Sequence, residues 1–548
     1  MNTRICSIFG IVAAAVLWTA VRSDAKVIQA ASCKFVDVSN AVAQASAGDV
    51  VDLPPGTNWW SETLNLNGVS LVGAGTNLTV LIDEENRAVS SQMINLYPAA
   101  GYLTEICNIQ FHGGVTNTSV NYWGTIAAYG TPGTSWRIDH DIFNVLYAKD
   151  ICTYGNSFSV IDHNTFYEVG ISIEDNGYIP NDPEGDASWA SPATYGLNSS
   201  NVLYVENNYF TNTTSYLGSV GATDGEGGGR IVFRYNTVMN DCFNNHGTES
   251  GGRLRSERSF EIYGNTFMCP PGASVYPIYA ACMIRGGSGV IFSNTVTGYN
   301  ALAAIRNFRY TCSYYGEWAP FAGADGLSLY DSNDPTLYLT GKNSSPNGSD
   351  FLLMNGANWT PNQWSGYSIL DTNSGLFSLV TSNTVNTIYY IGTGSSASII
   401  PCSVLTFNSG DVFQIHRVYA ALDQPGRGSG DLLQDEGLGA NGILVTINSA
   451  LGLAAWPREA LDGIYSWGNT LNGADGTLLS LYPTIQVGRD LYNDTPKPGY
   501  TPYTYPHPLT FVTVNTNSLS TGTNGAPPST NNAPTNGLAP PSGLHQVP

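Results

Sequence analysis

The stretch Val202-Leu203-Tyr204-Val205-Glu206-Asn207-Asn208-Tyr209-Phe210 introduces a short phrase that returns three times further along the chain. In each return a β-prone run precedes an asparagine, as Ile231-Val232-Phe233 precedes Asn236-Thr237-Val238. A fixed period of 20–50 residues without helical periodicity indicates a solenoid. The steps between the four asparagines are 28, 29 and 29 residues: Asn208, Asn236, Asn265 and Asn294.

This spacing predicts consecutive coils of a right-handed parallel β-helix. Valine, isoleucine and aromatic residues favour the strands, and the Gly, Asn and Ser clusters between them favour turns. Equivalent positions of successive coils then lie about 4.8 Å apart. We therefore expect the asparagines to hydrogen-bond in a ladder, with Phe and Val side chains inside. Earlier coils are predicted at residues 106–111, 138–143 and 161–166.

The composition agrees with a β-solenoid. The chain has 548 residues with 60 Gly and 32 Tyr, and only 11% of its residues are charged. Long amphipathic helices need far more Lys and Glu. The predicted divisions are a signal peptide (1–25), the β-helix (26–336), a β-rich insertion (337–418), C-terminal β-helix coils (419–512) and a disordered Pro/Asn/Thr-rich tail (513–548).

The first 25 residues have the pattern of a secretory signal. Arg4 is followed by an apolar run at 5–20, and Ser23-Asp24-Ala25 places small residues before the cleavage point. The run is shorter than the roughly 20 apolar residues that a membrane span needs. We therefore expect a secreted or extracytoplasmic protein without a membrane contact after cleavage, and a monomer.

The entry to the solenoid resembles the pectate-lyase-like right-handed parallel β-helix superfamily, as found in secreted bacterial β-helix proteins. A short helix is predicted at 38–45, capped by Asp37 or Ser39. It is followed by Gly48-Asp49-Val50-Val51-Asp52-Leu53-Pro54-Pro55-Gly56-Thr57 and by Gly68-Val69-Ser70-Leu71-Val72-Gly73-Ala74-Gly75. The resemblance implies an N-terminal capping helix and a β-helix. It does not imply one reaction, because this fold hosts many activities.

A second phrase of this superfamily is matched by Trp136-Arg137-Ile138-Asp139-His140. Val160-Ile161-Asp162-His163 repeats its end one coil later, 23 residues on. A phrase that repeats with the coil is typical of a structural ladder. We interpret both Asp-His pairs as ladder residues. The segment 499–509 is similar to a closing segment of secreted bacterial β-helix proteins.

The cysteines leave two interpretations open. Nine are present, and eight remain once Cys6 leaves with the signal. Cys242 and Cys269 lie 27 residues apart, and Cys282 and Cys312 lie 30 apart, each close to one coil. Stacked positions are near enough for a disulfide, and buried free thiols are the alternative.

The charge distribution indicates an anionic partner. The formal net charge is −21, which argues against nucleic acid. Eight of the sixteen arginines nevertheless lie between residues 230 and 309, where they predict a local positive groove. An acidic polysaccharide is the partner that this concentration favours.

The candidate catalytic residues lie in or beside one Gly-rich segment: His246, Glu249, Arg253 and Arg255. Substrate binding is predicted at Arg258, Arg285, Arg306 and Arg309. A metal site, with Ca²⁺ as the candidate ion, is predicted at Asp224 and Glu226. Counted from the asparagine ladder, these residues share one wall of neighbouring coils, with a register uncertainty of two or three residues.

This mixture suits β-elimination from a uronic acid polymer. The C6 carboxylate must be neutralised, by Ca²⁺ or by the planar fork of arginine, and a base must take the C5 proton. In the resembling lyases an arginine or lysine often serves as the base. No position here matches a catalytic motif of that family, so Arg253 and Arg255 are candidates for the base on chemical grounds alone. Histidine titrates near neutral pH, so His246 is a candidate acid or base.

Two other classes of function stay open at this point. A glycoside hydrolase of the same fold would use paired carboxylates, with Asp224, Glu226 and Glu249 as candidates. A noncatalytic surface protein would only bind glycan. The charges from 249 to 261 also alternate in sign, a pattern typical of structural ion pairs.

Overall fold

The computed structural model describes residues 25–83, 92–113, 125–144, 149–167, 171–177, 196–212, 221–247, 256–271, 280–307, 336–345, 350–390, 405–418, 424–429, 447–448, 453–454, 460–482 and 484–512. All of them belong to one compact unit that spans residues 1–516. The predicted tail and, apart from Ala25, the predicted signal peptide lie outside the described residues.

Three parallel sheets form the walls of a β-helix, which confirms the predicted fold class. Sheet 1 has twelve strands, and each pairs in parallel with the equivalent strand of the next coil. Its strands are, in spatial order, Val27–Gln29, Val50–Leu53, Ser70–Gly73, Leu103–Cys107, Ser135–Asp139, Phe158–Asp162, Leu203–Glu206, Arg230–Arg234, Ser259–Tyr263, Ser288–Phe292, Ile464–Trp467 and Leu491–Tyr492.

Sheet 2 has eleven strands, of which the last pairs antiparallel with its neighbour. Except for the first and the last, each strand of sheet 1 is followed along the chain by a strand of sheet 2. Its strands are Gly56–Trp60, Thr79–Asp83, Gln110–Gly113, Ile142–Asn144, Thr165–Tyr167, Tyr209–Thr211, Thr237–Met239, Thr266–Met268, Thr295–Thr297, Thr470–Leu471 and Ala474–Asp475.

Sheet 3 has two parts, and a parallel bridge between Gly225 and Asn245 joins them. The first part comprises Leu64–Asn67, Ile94–Tyr97, Ile126–Tyr129, Lys149–Tyr154, Ile171–Asn176 and Gly221–Glu226. The second part comprises Phe243–Asn244, Ala280–Ile284, Ala301–Ile305 and Leu478–Ser480.

Side chains alternate between the core and the outside along these strands, as a pleated strand requires. In the first strand of sheet 3, Leu64 and Leu66 are buried while Asn65 and Asn67 are exposed. Phe111, Phe143, Phe166 and Phe210 stack inside the coils with ring centroids 4.7–5.1 Å apart. The coils therefore share one continuous apolar core.

The asparagine ladder is confirmed. The Nδ2 of Asn236 donates to the Oδ1 of Asn265 at 3.2 Å, and Asn265 donates in the same way to Asn294 at 3.0 Å. Each amide also donates to a backbone carbonyl of the preceding coil, as Asn236 does to Val205 at 2.9 Å. The ladder continues upstream through Asn208 to Asn164, and downstream to Asn469.

The repeated Asp-His pairs are ladder residues, as interpreted from the sequence. Asp139 pairs with Asp162 across sheet 1. The rings of His140 and His163 stack with centroids 5.1 Å apart, and each Nδ1 contacts the preceding carboxylate, at 2.6 and 2.7 Å.

The capping helix is present, but its bounds differ from the prediction. It spans Phe35–Val42 and follows Lys34, so it begins three residues before the predicted start. Asp37 lies in the first turn instead of at the cap, where its carboxylate accepts a hydrogen bond from Ser32 at 2.5 Å. Among the described residues, no helix is long and apolar enough to span a bilayer.

An antiparallel sheet lies between two coils in the sequence. Its strands are Leu339–Lys342, Val412–Val418, Tyr367–Asp371, Phe377–Asn383, Thr387–Tyr390 and Phe351–Leu353, around a separate apolar cluster. Two short antiparallel pairs follow, Arg427–Ser429 with Ala460–Leu461 and Ile447–Asn448 with Leu453–Ala454. The predicted coil start at 442–445 lies outside the described residues, and the parallel stack resumes at Ile464–Trp467.

The closing segment, residues 499–512, packs on the outer face of sheet 1 and ends in a 3-10 helix at Pro508–Phe511. Arg234 is fully buried beneath it. Its Nε donates to Glu206 at 2.6 Å, and its Nη atoms donate to the carbonyls of Tyr503 and Thr504 at 3.0 and 2.9 Å. The expectation that all eight arginines of 230–309 line one groove is therefore wrong for Arg234, because its strand turns that side chain towards the closing segment.

The described cysteines carry free thiols, so the alternative of buried thiols is the one observed. Cys242 and Cys282 are buried and Cys269 is partly buried. Cys312 lies outside the described residues. Burial raises the pKa of the Cys242 thiol, which keeps it protonated and unreactive.

Candidate functional site

The predicted site residues divide into those that the structure describes and those that it does not. Glu249, Arg253, Arg255 and Arg309 lie outside the described residues and stay predictions. Asp224, Glu226, His246, Arg258, Arg285 and Arg306 are described.

The outer face of sheet 3 brings most of the described candidates together. Asn176 pairs with Glu226, and the bridge between Gly225 and Asn245 sets Glu226 level with His246 on the next coil. Asn244 pairs with Met283, and Ile284 pairs with Ile305. Equal steps along these parallel strands give one position per coil, which we call the outer row: Tyr97, Tyr129, Tyr154, Asn176, Glu226, His246, Arg285 and Arg306.

Asp224 and His246 form a close polar contact on this face. The Nδ1 of His246 lies 2.6 Å from Oδ1 and 2.5 Å from Oδ2 of Asp224. The Asp224 side chain is fully buried, whereas the His246 side chain is 10% exposed. A carboxylate on Nδ1 fixes the tautomer that carries its proton there, which makes Nε2 the basic nitrogen of the ring.

Arg285 lies beside this pair on the next coil. Its Nη2 is 3.9 Å from Oδ1 of Asp224, and its Nε donates to the carbonyl of Asn245 at 2.7 Å. Arg306 follows at the level position one coil further, where its backbone N–H donates to the carbonyl of Ile284 at 2.8 Å. Both side chains are partly exposed. Two arginines thus follow His246 on the next two coils of the outer row.

Two other candidates occupy different places. Glu226 is on the outer row and partly exposed, and its backbone forms an antiparallel bridge to Ser256. Arg258 is only 5% exposed and lies at the turn before a strand of sheet 1. Although burial raises the pKa of Asp462, Lys497, a hydrogen bond from Ser288 and the charge of Arg258 together lower it. Arg258 therefore lies within electrostatic reach of Asp462.

The contacts of Asp224 do not fit a Ca²⁺ site. Calcium takes six to eight oxygen ligands, but both oxygens of Asp224 contact a histidine nitrogen and a cationic guanidinium is adjacent. Among the described residues, one group of three side chains could hold a metal ion: Glu105, Cys107 and Asp139. Their potential ligand atoms lie within 4.8 Å of one another. Arg137 pairs with two of these three residues, at 3.2 and 3.3 Å.

Sequence reasoning missed the inward-facing residues behind the outer row. The side chain of Asn245 accepts a hydrogen bond from the backbone N–H of Arg285 at 2.7 Å and donates to Glu257 at 2.6 Å. Glu257 is fully buried, and burial raises the pKa of its carboxyl well above the usual range. Asn245 directly precedes His246, and that adjacency was the signal in the sequence.

Asp175 belongs to the same interior layer. Burial raises the pKa of its carboxyl to about 7, and its Oδ1 accepts a hydrogen bond from Thr153 at 2.8 Å. The spacing of the repeat predicts which positions face inwards. It does not predict that one of them carries a carboxyl group instead of an apolar side chain. The interior behind this part of sheet 3 therefore contains polar side chains beside the buried phenylalanines of the same coils.

Comparison with known proteins gives likenesses among solved structures only. No family model matches the chain, and no curated protein matches it. The catalytic unit of a thermostable GH87 alpha-1,3-glucanase from Streptomyces thermodiastaticus strain HF3-3 is 14% identical, with a TM-score of 0.28 over 49% of this chain and 57% of that chain. An alginate lyase from Paenibacillus sp. str. FPU-7 is 14% identical, with a TM-score of 0.24 over 51% and 90%.

A GH87 alpha-1,3-glucanase catalytic domain in complex with nigerose is 11% identical, with a TM-score of 0.26 over 52% of this chain and 61% of that chain. The chain thus spans about six-tenths of the two glucanase structures. Scores this low do not assign a family, a substrate or a reaction to this protein.

Proposed function

We propose that the protein is a polysaccharide lyase that cleaves a uronic-acid-containing polysaccharide by β-elimination on the outer face of sheet 3. The observation that carries the proposal is the contact of His246 with Asp224, with Arg285 and Arg306 on the next two coils. One group that moves a proton and two that hold a carboxylate therefore meet on one surface.

His246 acts on the C5 proton in this proposal. Asp224 holds the proton of Nδ1, so the ring nitrogen remote from Asp224 accepts the proton from C5. The electron pair of the C5–H bond forms the C4–C5 double bond, and the C4–O bond to the leaving sugar breaks. The departing oxygen takes a proton, which the newly formed imidazolium supplies in this proposal.

The arginines lower the barrier by holding the C6 carboxylate. Negative charge spreads onto this carboxylate as the C5 proton leaves, and a guanidinium fork stabilises it bidentately. The hydrogen bond from Nε of Arg285 to the carbonyl of Asn245 fixes the plane of that fork before substrate arrives. No step of the proposal uses a metal ion.

The hydrolase alternative fits these contacts less well. Paired carboxylates must act on the glycosidic bond as acid and as base or nucleophile, whereas Asp224 is fully buried and both its oxygens contact His246. The two reactions also give different products. Only elimination leaves a C4–C5 double bond that absorbs in the ultraviolet.

The test is a panel of pectate, alginate, glucuronan and neutral glycans, read by ultraviolet absorbance and by reducing ends. We expect new absorbance with an acidic polymer, and a loss of at least about 100-fold in kcat for His246→Ala and Asp224→Asn. His163→Ala is the matched control, since His163 has the same contact with an aspartate but lies in the turn ladder. Reducing ends without absorbance would contradict the lyase, and no product from any glycan would leave binding alone as the function.

A further inference from the structure

The outer row continues away from His246 as a stack of three tyrosine rings. Tyr97 and Tyr129 have ring centroids 4.8 Å apart at an interplanar angle of 13°, and Tyr129 and Tyr154 are 4.9 Å apart at 10°. These distances equal the spacing of the coils, so each coil contributes one ring. The stack follows the axis of the β-helix in line with the proposed site.

The tyrosines become more covered towards the charged end of the row. The exposed fraction is 38% for Tyr97, intermediate for Tyr129 and 7% for Tyr154. Asn176, the next position, is 6% exposed. The exposed fraction of the row thus falls from Tyr97 towards Asn176.

The phenol group of Tyr129 remains a hydrogen-bond donor at neutral pH. Burial, and then the neighbouring Tyr97, raise the pKa of Tyr129 to about 12. Aromatic rings with a polar tip give apolar contact to the C–H faces of a sugar and hydrogen bonds to its oxygens. Such a surface suits the uncharged C–H face and hydroxyl groups of a uronic acid residue, away from its carboxylate.

The opposite choice, the outer face of sheet 1, is already covered. Tyr503 and His507 of the closing segment lie against Tyr204 there, with ring centroids 5.5 and 4.7 Å away. Of these two outer faces, only that of sheet 3 is therefore left for a long ligand that follows the axis.

We infer that Tyr97 and Tyr129, supported by the buried ring of Tyr154, bind the part of the polysaccharide that extends beyond the cleaved bond, so that the polysaccharide lies along the axis of the β-helix. The inference rests on the proposed function for the position of the cleaved bond. Five coil spacings separate Tyr97 from His246, which is about 24 Å. Only a polymer or a long oligomer covers that distance, so the protein selects substrates by length.

The experiment compares Tyr129→Ala and Tyr97→Ala with the unaltered full-length chain on pectate and alginate, each as polymer and as size-fractionated oligomers. We expect KM for the polymer to rise about tenfold, the effect of one lost aromatic contact, with kcat changed by less than about twofold. We also expect the ratio of kcat/KM for the polymer to kcat/KM for the shortest cleaved oligomer to fall in both variants. Tyr465→Ala is the matched control, because Tyr465 and Tyr492 form a similar stack, 4.6 Å apart at 12°, on sheet 1.

Affinity electrophoresis in gels containing pectate or alginate measures binding without turnover. If no variant cleaves any glycan but Tyr129→Ala weakens retention and Tyr465→Ala does not, the tyrosine surface stands and the lyase proposal falls. If cleavage is found and the variants of the row behave as Tyr465→Ala does, the inference is overturned. Tyr129→Phe keeps the stack and removes the hydroxyl, so it serves if Tyr129→Ala lowers the melting temperature.

Discussion

Arg285 is held at Nε by the carbonyl of Asn245, and this contact decides what a conservative change at the residue does. Lysine keeps the positive charge but has neither the planar fork nor Nε. We expect Arg285→Lys to lose about 100-fold in kcat/KM on an acidic polymer while the melting temperature changes little.

Arg489→Lys is the control for this change. The Arg489 side chain has the same 15% exposure as Arg285 and pairs with Asp490 at 2.5 Å, and it is not a member of the outer row. Steady-state kinetics and thermal unfolding of the two variants give the comparison. Equal activity of Arg285→Lys and the unaltered chain would show that the guanidinium is only a structural partner of Asp224.

The interior carboxyls give the fold a dependence on pH whose sign follows from their shifts. Burial raises the pKa of Asp175 and of Asp241 from 3.8 to about 7. The native state therefore binds more protons than the unfolded state between these values. The contribution of these two carboxyls to the free energy of unfolding is fully present below about pH 4. It is lost as the pH rises through about 7, by about 1.4 kcal/mol per pH unit for each group.

Urea unfolding between pH 4.5 and 7.5 measures this loss. We expect Asp175→Asn to make the unfolding free energy fall less steeply with pH, because asparagine does not titrate. The reduction should equal the contribution of one carboxyl group. Asp475→Asn, at an exposed position, is the control and leaves the slope as it is. An unchanged slope in Asp175→Asn would mean that Asp175 is ionised in the folded protein.

At the scale of the element, the asparagine ladder predicts an unequal cost for two similar changes. Asn236 is 1% exposed, and its amide donates to Val205 and to Asn265 while its Oδ1 accepts from Asn208. Asn236→Ala leaves several of these buried groups without a partner, so we expect a loss of about 2–4 kcal/mol in unfolding free energy.

Asn95→Ala is the matched change on the outside of a coil. Asn95 makes one side-chain hydrogen bond to the exposed Asn65, at 2.9 Å. We expect a loss of less than about 0.5 kcal/mol there. Similar midpoints of urea unfolding for both variants would mean that the ladder contributes little to stability.

The ladder was visible in the sequence because one period fixes both the fold and the stacking of its asparagines. The same period could not give the register of the outer row, since the loops between sheets differ in length. It could not place Arg234 either, because the partners of that side chain at Tyr503 and Thr504 lie about 270 residues away. The contact of His246 with Asp224 needed the bridge between Gly225 and Asn245, which follows no repeated phrase.

At the scale of the whole molecule, the closing segment contributes both apolar cover and hydrogen bonds to sheet 1. Arg137 donates to the carbonyl of Val512 at 3.3 Å, and the backbone N–H of His507 donates to Glu206 at 2.8 Å. Removing residues 499–548 takes away the carbonyls of Tyr503 and Thr504 that bind Arg234, and the N–H of His507 that binds Glu206. We expect the melting temperature to fall by several degrees, since a buried charge that loses its partners is costly.

Removing residues 513–548 alone is the control, and we expect it to leave the melting temperature unchanged. Differential scanning calorimetry of both truncations measures the difference. The outer row lies on another sheet, so the longer truncation should still cleave substrate below its melting temperature. Equal melting temperatures for the two truncations would show that the closing segment does not stabilise the coils.

The joint between Asn294 and Asn469 has a consequence for the order in which the protein assembles. These neighbours in the ladder are 175 residues apart in the sequence. A ribosome that adds 5–20 residues per second needs on the order of 10–30 s to make that interval. Until then the strand Ser288–Phe292 presents unpaired backbone groups at the end of the nascent stack. The coil that ends at Arg306, two coils beyond His246, is thus open to pairing with another molecule during synthesis.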